Sequence, residues 1–303
     1  MKIVFAGSPE YAVPALKALN EKFGVSAVIT QPDRPVGRKK VLTPTPVKAE
    51  AQKLNIPVYD FEKIRNRVED VKALGADIMI TCAYGQILTQ GVLDCFEKGV
   101  WNLHASLLPK FRGASPIQSA ILAGETHTGV TVMRTELSLD TGDILLVKRC
   151  EIGDKNCAEL SAELSRLSAE AAVEAVELID KGNLQLLMQD EAKVTFCKKI
   201  QKSDCRIDFS NSAKDICRLI RAMNPEPYAY CEQSGVVLNI LRATETDGDG
   251  AVGEVINADK KGIVVKCGVG AIRIEELQPA GGKAMKGADY VNGRKIKAGD
   301  KLD

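Results

Sequence analysis

From Lys2 to Cys150 short apolar runs alternate with helical patterns, and no other feature constrains the fold as strongly. An apolar run over residues 2–6 stops at Gly7. Ser8-Pro9-Glu10 then opens a helical pattern to about Asn20, with Ser8 suited to the N-cap, Pro9 to the first helical position and an acid to the first turn. A second strand is predicted over Val25–Thr30, followed by a helix near Thr45–Leu54 and strands near Asp77–Cys82 and Gly99–Leu103. A helix near Ser115–Ala123 and strands near Gly129–Arg134 and Ile144–Cys150 complete the series. Such alternation predicts an α/β fold with an open, largely parallel, Rossmann-like sheet.

The pattern changes after residue 182. Residues 158–181 read as one long amphipathic helix, with Leu160, Leu164, Leu167, Ala171, Val176 and Ile179 along its apolar face and Gly182 as C-cap. Beyond Ile207 one helix, around Ser212–Met223, precedes short strand-like runs at Ala229–Glu232, Val236–Ala243, Gly253–Asn257, Gly262–Cys267 and Ala271–Gln278. Those runs predict a small C-terminal antiparallel β-barrel of OB-like type. With 303 residues, two domains are expected on length as well. The boundaries fall at 1–188 for the α/β domain, 189–204 for a polar, basic linker and 205–303 for the barrel.

Forty-one basic against forty acidic side chains give a formal charge of +1, which excludes a uniformly basic surface. The 45% hydrophobic and 27% charged content fits a globular chain and not a disordered one. No run reaches the ~18 apolar residues of a membrane span. The first residues enter a strand directly, so no targeting segment and a cytoplasmic location are expected. Nine cysteines, an odd number with no Cys-x-x-Cys pair, read as reduced, mostly buried small side chains, and with only His104 and His127 no histidine-rich metal site is expected.

The first βα turn, Ala-Gly-Ser-Pro-Glu, lacks the Gly-x-Gly-x-x-Gly of a dinucleotide site and places Glu10 where a pyrophosphate would need bare N–H groups. Chemistry concentrates instead at the carboxyl end of the strand near 99–103, where open parallel sheets bind ligands. Asn102 and His104 are two apart, so an extended chain points both side chains the same way, an amide donor beside an imidazole suited to a carbonyl oxygen gaining charge. Asp140, in Leu-Asp-Thr-Gly-Asp, could orient His104 or move a proton, although each of the three residues alone has an ordinary structural explanation.

Taken together these segments resemble the methionyl-tRNA formyltransferases, within the 10-formyltetrahydrofolate-dependent formyltransferase and hydrolase superfamily. The carrying motifs are Ala-Gly-Ser-Pro-Glu-Tyr-Ala-Val-Pro at 6–14, Gln-Pro-Asp-Arg-Pro at 31–35, Ala-Tyr-Gly-Gln-Ile-Leu at 83–88, Asn-Leu-His-Ala-Ser-Leu-Leu-Pro-Lys-Phe-Arg-Gly at 102–113, Leu-Asp-Thr-Gly-Asp at 139–143, Asn-Pro-Glu-Pro at 224–227 and Leu-Gln-Pro-Ala-Gly-Gly-Lys-Ala-Met at 277–285. They span nearly the whole chain in order. The resemblance implies formyl transfer from 10-formyltetrahydrofolate to the amino group of methionyl-initiator tRNA; no metal is expected, and nothing in the sequence demands more than a monomer. It maps catalysis onto Asn102, His104 and Asp140, and folate contacts onto Ser106, Leu107, Leu108 and Pro109 and onto Gln86, Ile87 and Leu88.

The same resemblance maps tRNA contacts onto Arg34, Arg38, Lys39 and Lys40, in a loop over residues 31–46 whose four prolines predict an irregular conformation. Lys-Lys-Val follows Arg38, where the family commonly has Gly-Lys-Lys. From Cys205 to Asp303 fifteen basic face fourteen acidic residues, so any tRNA contact there depends on local charge clusters. Alternatives are a formyltransferase acting on a sugar nucleotide or glycinamide ribonucleotide, or a tRNA-binding module without catalysis.

Overall fold

β1 (Ile3–Gly7) is buried at every position, as a parallel strand covered on both faces must be. The computed structural model describes residues 1–303 except positions 38 and 294. It divides into two units: Met1–Pro116, His127–Glu151 and Ser161–Cys197 form one, and Ile117–Thr126, Ile152–Leu160 and Lys198–Asp303 the other.

The first unit carries the Rossmann-like sheet. After β1 come β2 (Val25–Thr30), a separate hairpin of β3 (Arg34–Val36) and β4 (Val41–Thr43), then β5 (Val58–Asp60), β6 (Ile78–Cys82), β7 (Val100–His104), a short β8 (Arg112–Gly113), β9 (His127–Arg134), β10 (Ile144–Glu151) and a short β11 (Phe196–Cys197). The main sheet runs β10-β9-β7-β6-β1-β2-β5. From β5 to β7 neighbouring strands are parallel; β9 turns back antiparallel to β7 and β10 antiparallel to β9. That reversal carries the chain away from the β7 carboxyl end, and the loop between β9 and β10 must return to it. The helices of this unit are α1 (Val13–Phe23), α2 (Pro46–Lys53), α3 (Val68–Ala73) and α4 (Gln90–Leu93); α5 (Pro116–Leu122) falls in the second unit but for Pro116, and α6 (Cys157–Asp180) belongs to the first unit from Ser161 onward.

Three expectations need correction. The first helix begins at Val13, after a 3₁₀ turn over Glu10–Ala12 that Pro9 precedes. Ser8 caps nothing: its hydroxyl donates to the Tyr84 carbonyl (3.3 Å) and accepts from the Gln31 amide (3.3 Å). The 31–46 loop is not irregular throughout, because Pro35 sits opposite Leu42 in an isolated two-stranded ribbon, where a missing N–H disrupts no larger sheet. On α6, Leu167 is only half-buried, whereas Ser165 and Ser168 are buried and hydrogen-bonded to the Tyr11 carbonyl (2.6 Å) and hydroxyl (2.8 Å).

In the second unit α7 (Ala213–Ala222) is capped by Ser212, whose hydroxyl accepts from the Asp215 amide at 3.1 Å. An antiparallel sheet follows: β12 (Ala229–Gln233), β13 (Val236–Thr246), β14 (Val255–Asp259), β15 (Gly262–Lys266) and β16 (Ala271–Pro279), with β17 (Met285–Lys286) on β16 and α8 (Gly287–Asn292) after it. Its order, β12-β13-β16-β15-β14, leaves two outer strands. Residues 300–303 serve both. Asp303 exchanges two backbone hydrogen bonds with Glu232 of β12 (2.9 Å each), while Asp300 accepts from Val255 (2.8 Å) and Leu302 donates to Gly253 (2.9 Å).

Seven of the nine cysteines are buried. Burial pushes the Cys82, Cys217 and Cys231 thiols up to about 12, and Cys157 and Cys267 to about 11, so they stay protonated and pack as small apolar groups. Among the described residues no group of three or more His, Cys, Asp or Glu could hold a metal, and no helix is long and apolar enough to cross a membrane.

Candidate active site

His104 closes β7 and is buried. Its Nε2 lies 2.9 Å from the Phe111 carbonyl, which can only accept, so Nε2 carries the hydrogen. Its Nδ1 faces Asp140 Oδ2 at 3.7 Å, a gap too wide for a direct hydrogen bond. A proton on Nδ1 would convert that arrangement into an ion pair, which makes this gap a natural place to hold one.

Asn102 sits on the same strand, two residues back. Thr81 on neighbouring β6 donates its hydroxyl to Asn102 Oδ1 at 2.8 Å, which orients the amide and leaves its N–H groups to donate elsewhere. Thr81 is itself buried. Asp140 occupies the β9–β10 loop with a left-handed backbone, φ 54°, a conformation an aspartate tolerates at modest cost. Its Oδ2 accepts from the Gly113 amide at 2.8 Å. Gly113 has φ 124°, and a Cβ there would stand 2.1 Å from the Cys197 carbonyl oxygen. Only glycine lets β11 lie against β8 while its own N–H reaches the carboxylate.

The folded chain thus brings Asn102, His104 and Asp140 together, although 36 residues separate the last two. It distributes the expected folate residues differently. Ser106 is buried, its hydroxyl donating to the Lys110 carbonyl (2.6 Å) and its carbonyl accepting from Thr131 (2.7 Å). Leu108 packs with Met133 and Ile144 and joins Pro109 through a cis peptide bond. Leu107 and Pro109 are half-buried. The Gln86 amide is spent on structure, accepting from the Ile64 N–H (2.8 Å) and donating to the Phe61 carbonyl (2.7 Å). Leu88 lies in the core cluster around Phe61 and Val92, whereas Ile87 is 77% exposed. Of the Gln86–Leu88 side chains, Ile87 alone is presented outward.

A cleft of about 620 Å³ opens between α4 and the loop leading to Asp140, lined by Leu93, Phe96, Val100, Arg134 and Thr135 among others. The buried Thr135 hydroxyl has no hydrogen-bond partner among the described residues. Gln90, Asp94, Glu136 and Ser138 complete a lining that is more polar than apolar.

The expected tRNA residues Arg34, Lys39 and Lys40 are exposed on the β3–β4 hairpin, and Arg38 lies outside the described residues. Arg34 donates to Gln31 Oε1 (2.8 Å), and Gln31 Nε2 in turn donates to the Tyr84 (3.1 Å) and Gly85 (3.2 Å) carbonyls. The hairpin base is therefore tied to the loop that carries Gln86–Leu88. Lys48 adds a second tie, bonding Asp33 and Asp60 at 2.7 Å each, and both partners hold its ammonium above the ordinary lysine value.

A Rossmann-like sheet carrying this Asn–His–Asp set, followed by an antiparallel C-terminal unit, has a known family. The chain belongs to the formyl transferases: the family model "Formyl transferase" matches residues 1–176, and "Formyl transferase, C-terminal domain" matches residues 199–295. Over 308 aligned residues, covering all of both chains, it is 46% identical to the methionyl-tRNA formyltransferase of Neisseria meningitidis serogroup C. Among solved structures, the N-formyltransferase of Helicobacter canadensis, in complex with folinic acid and dTDP-3-aminofucose, shares the fold at 19% identity and a TM-score of 0.71, over 90% of this chain and 99% of that one. HypX from Aquifex aeolicus, in complex with tetrahydrofolic acid, shares it at 17% identity and a TM-score of 0.65, over 96% of this chain; the present chain spans about half of HypX, 47%.

Proposed function

We propose that the protein transfers the formyl group of 10-formyltetrahydrofolate to the amino group of methionyl-initiator tRNA, acting as a monomer in the cytoplasm. Full-length similarity to a methionyl-tRNA formyltransferase is the observation that carries this reading, and the convergence of Asn102, His104 and Asp140 supports it. The formyl donor supplies an activated carbonyl carbon on a leaving nitrogen. A C–N bond forms to the substrate amine, the C–N10 bond breaks, and one proton passes from the amine to N10. In this mechanism the Asn102 amide donates to the formyl oxygen as it gains charge, and His104 donates once its Nδ1, which faces Asp140, carries a proton. Asp140 receives the amine proton and passes it on, through the gap it shares with Nδ1, to N10.

The folate contacts would come from Ser106, Leu107, Leu108 and Pro109, just past His104, and from Gln86, Ile87 and Leu88, with half-buried Leu107 and exposed Ile87 offering apolar contact. Arg34, Arg38, Lys39 and Lys40 would meet tRNA phosphates, a contact that salt weakens. The α/β domain would span 1–188 and the barrel 205–303, with 189–204 linking them.

The decisive assay is formylation of methionyl-tRNA, with free methionine and an amino-sugar nucleotide as control acceptors. Turnover with the tRNA alone is expected. Asp140→Asn and His104→Ala should each lower kcat by ~10²-fold or more while the fold persists. Near-normal turnover in either folded variant removes that residue from the mechanism, and turnover with the sugar nucleotide instead overturns the acceptor.

A further inference from the structure

The segment from Leu187 to Cys197 reads in the sequence as a polar linker entry, yet it is bonded across both loops of the candidate active site. Leu187 exchanges two backbone hydrogen bonds with Ile144, 2.9 Å each, just after the Asp140 loop. Thr195 accepts from Arg112 through its carbonyl (2.9 Å) and from the Phe111 amide through its hydroxyl (2.8 Å), and Cys197 accepts from Ala114 (3.1 Å). Between these anchors stands Gln189, buried although its neighbours on both sides are exposed.

The bonding of Gln189 is complete. Its Oε1 accepts from Arg112 Nε (3.0 Å) and Nη2 (2.8 Å). Its Nε2 donates to the carbonyls of Asp140 and Gly142, 2.8 Å each. An arginine only donates and a carbonyl only accepts, so the amide can sit in one orientation alone. Arg112 is 2% exposed and also reaches Glu191 at 2.8 Å, so the guanidinium that orients Gln189 is itself fixed. The residue after Arg112 is Gly113, whose N–H holds the Asp140 carboxylate. One end of this network grips the backbone of Asp140, where φ is left-handed, and the other is adjacent to the donor on its side chain.

We propose that Gln189, seated by Arg112, is a positioning residue for Asp140: it fixes the two carbonyls of the 140–142 turn and so sets the carboxylate against His104. This rests on the catalytic reading of Asp140 given above. A carboxylate displaced by even ~1 Å would miss the Nδ1 gap, and misplacement on that scale costs up to ~10²-fold in rate.

Gln189→Glu tests it, since the new carboxylate keeps the Arg112 contact but sets oxygen against the two carbonyls. The expected result is a 10- to 100-fold loss of kcat, KM for folate and for methionyl-tRNA within about threefold, and a cooperative thermal transition retained. Gln189→Met, which removes all four bonds without adding charge, should fall between wild type and Gln189→Glu. In an Asp140→Asn background Gln189→Glu should cause no further loss, because a residue acting through Asp140 has nothing left to position. Wild-type kcat in both Gln189 variants, or losses that multiply with Asp140→Asn, would overturn the proposal. If Asp140→Asn alone retains turnover, the catalytic reading fails instead, and the two failures are thereby distinguished.

Discussion

The molecule uses one device twice. At the hairpin base Arg34 donates to Gln31, which donates to the carbonyls of Tyr84 and Gly85; at the candidate active site Arg112 donates to Gln189, which donates to the carbonyls of Asp140 and Gly142. In both, an arginine polarises a glutamine amide that clamps two carbonyls of a tight loop. The surroundings differ. Arg34 is exposed and gives Gln31 one bond, so water competes for every partner. Arg112 is sealed from solvent and gives two, so no water can replace it. The exposed clamp is one that a polyanion could capture by engaging Arg34, while the buried one is built to stay shut.

That contrast makes graded predictions. Arg112→Ala should produce the largest effect, a loss of about 2–4 kcal/mol in urea unfolding, because it strands the Gln189 carbonyl in a buried site. Gln31→Ala should cost less than about 1 kcal/mol, with the weakened hairpin tie seen as a raised KM for methionyl-tRNA and little change in kcat. Equal destabilisation by the two substitutions would end the comparison.

Lys48→Met should be the mildest, shifting Tm by a few degrees at most. Its pH dependence is specific. The folded protein holds the ammonium above its ordinary value, so the stabilisation is complete below the unfolded lysine value and is lost as pH rises through the folded one. The gap in Tm between wild type and Lys48→Met should therefore be constant near neutrality and shrink above about pH 10.5. A gap that widens there would mean the ion pairs are not its source.

Much of this was legible in the residues. Apart from β5 and β17, the strands of both sheets fall within a few residues of their predicted runs; in the parallel sheet burial on both faces writes an unbroken apolar signature. Asn102, His104 and Asp140 could be suspected because a strand end and a turn are where such side chains do chemistry. β5 and α3 escaped, being three and six residues long, too short to show a period. The Pro-rich hairpin was read as irregular because proline signals exclusion from a sheet interior and says nothing about a free ribbon. Gln189 left no trace at all. A glutamine in a polar stretch looks solvated, and its partner Arg112 lies 77 residues away. Thr81 was hidden for the opposite reason: a threonine in an apolar strand looks like packing, and its hydroxyl matters only once β6 and β7 are side by side.

Position 113 shows what such a network does to a sequence over time. Its amide serves Asp140, and its missing side chain admits the Cys197 carbonyl, so two demands from opposite directions meet on one codon. A substitution there cannot be rescued by a neighbour, because no neighbour can supply both an N–H and an empty volume at that point. Selection on catalysis and selection on backbone fit thus become inseparable at this glycine.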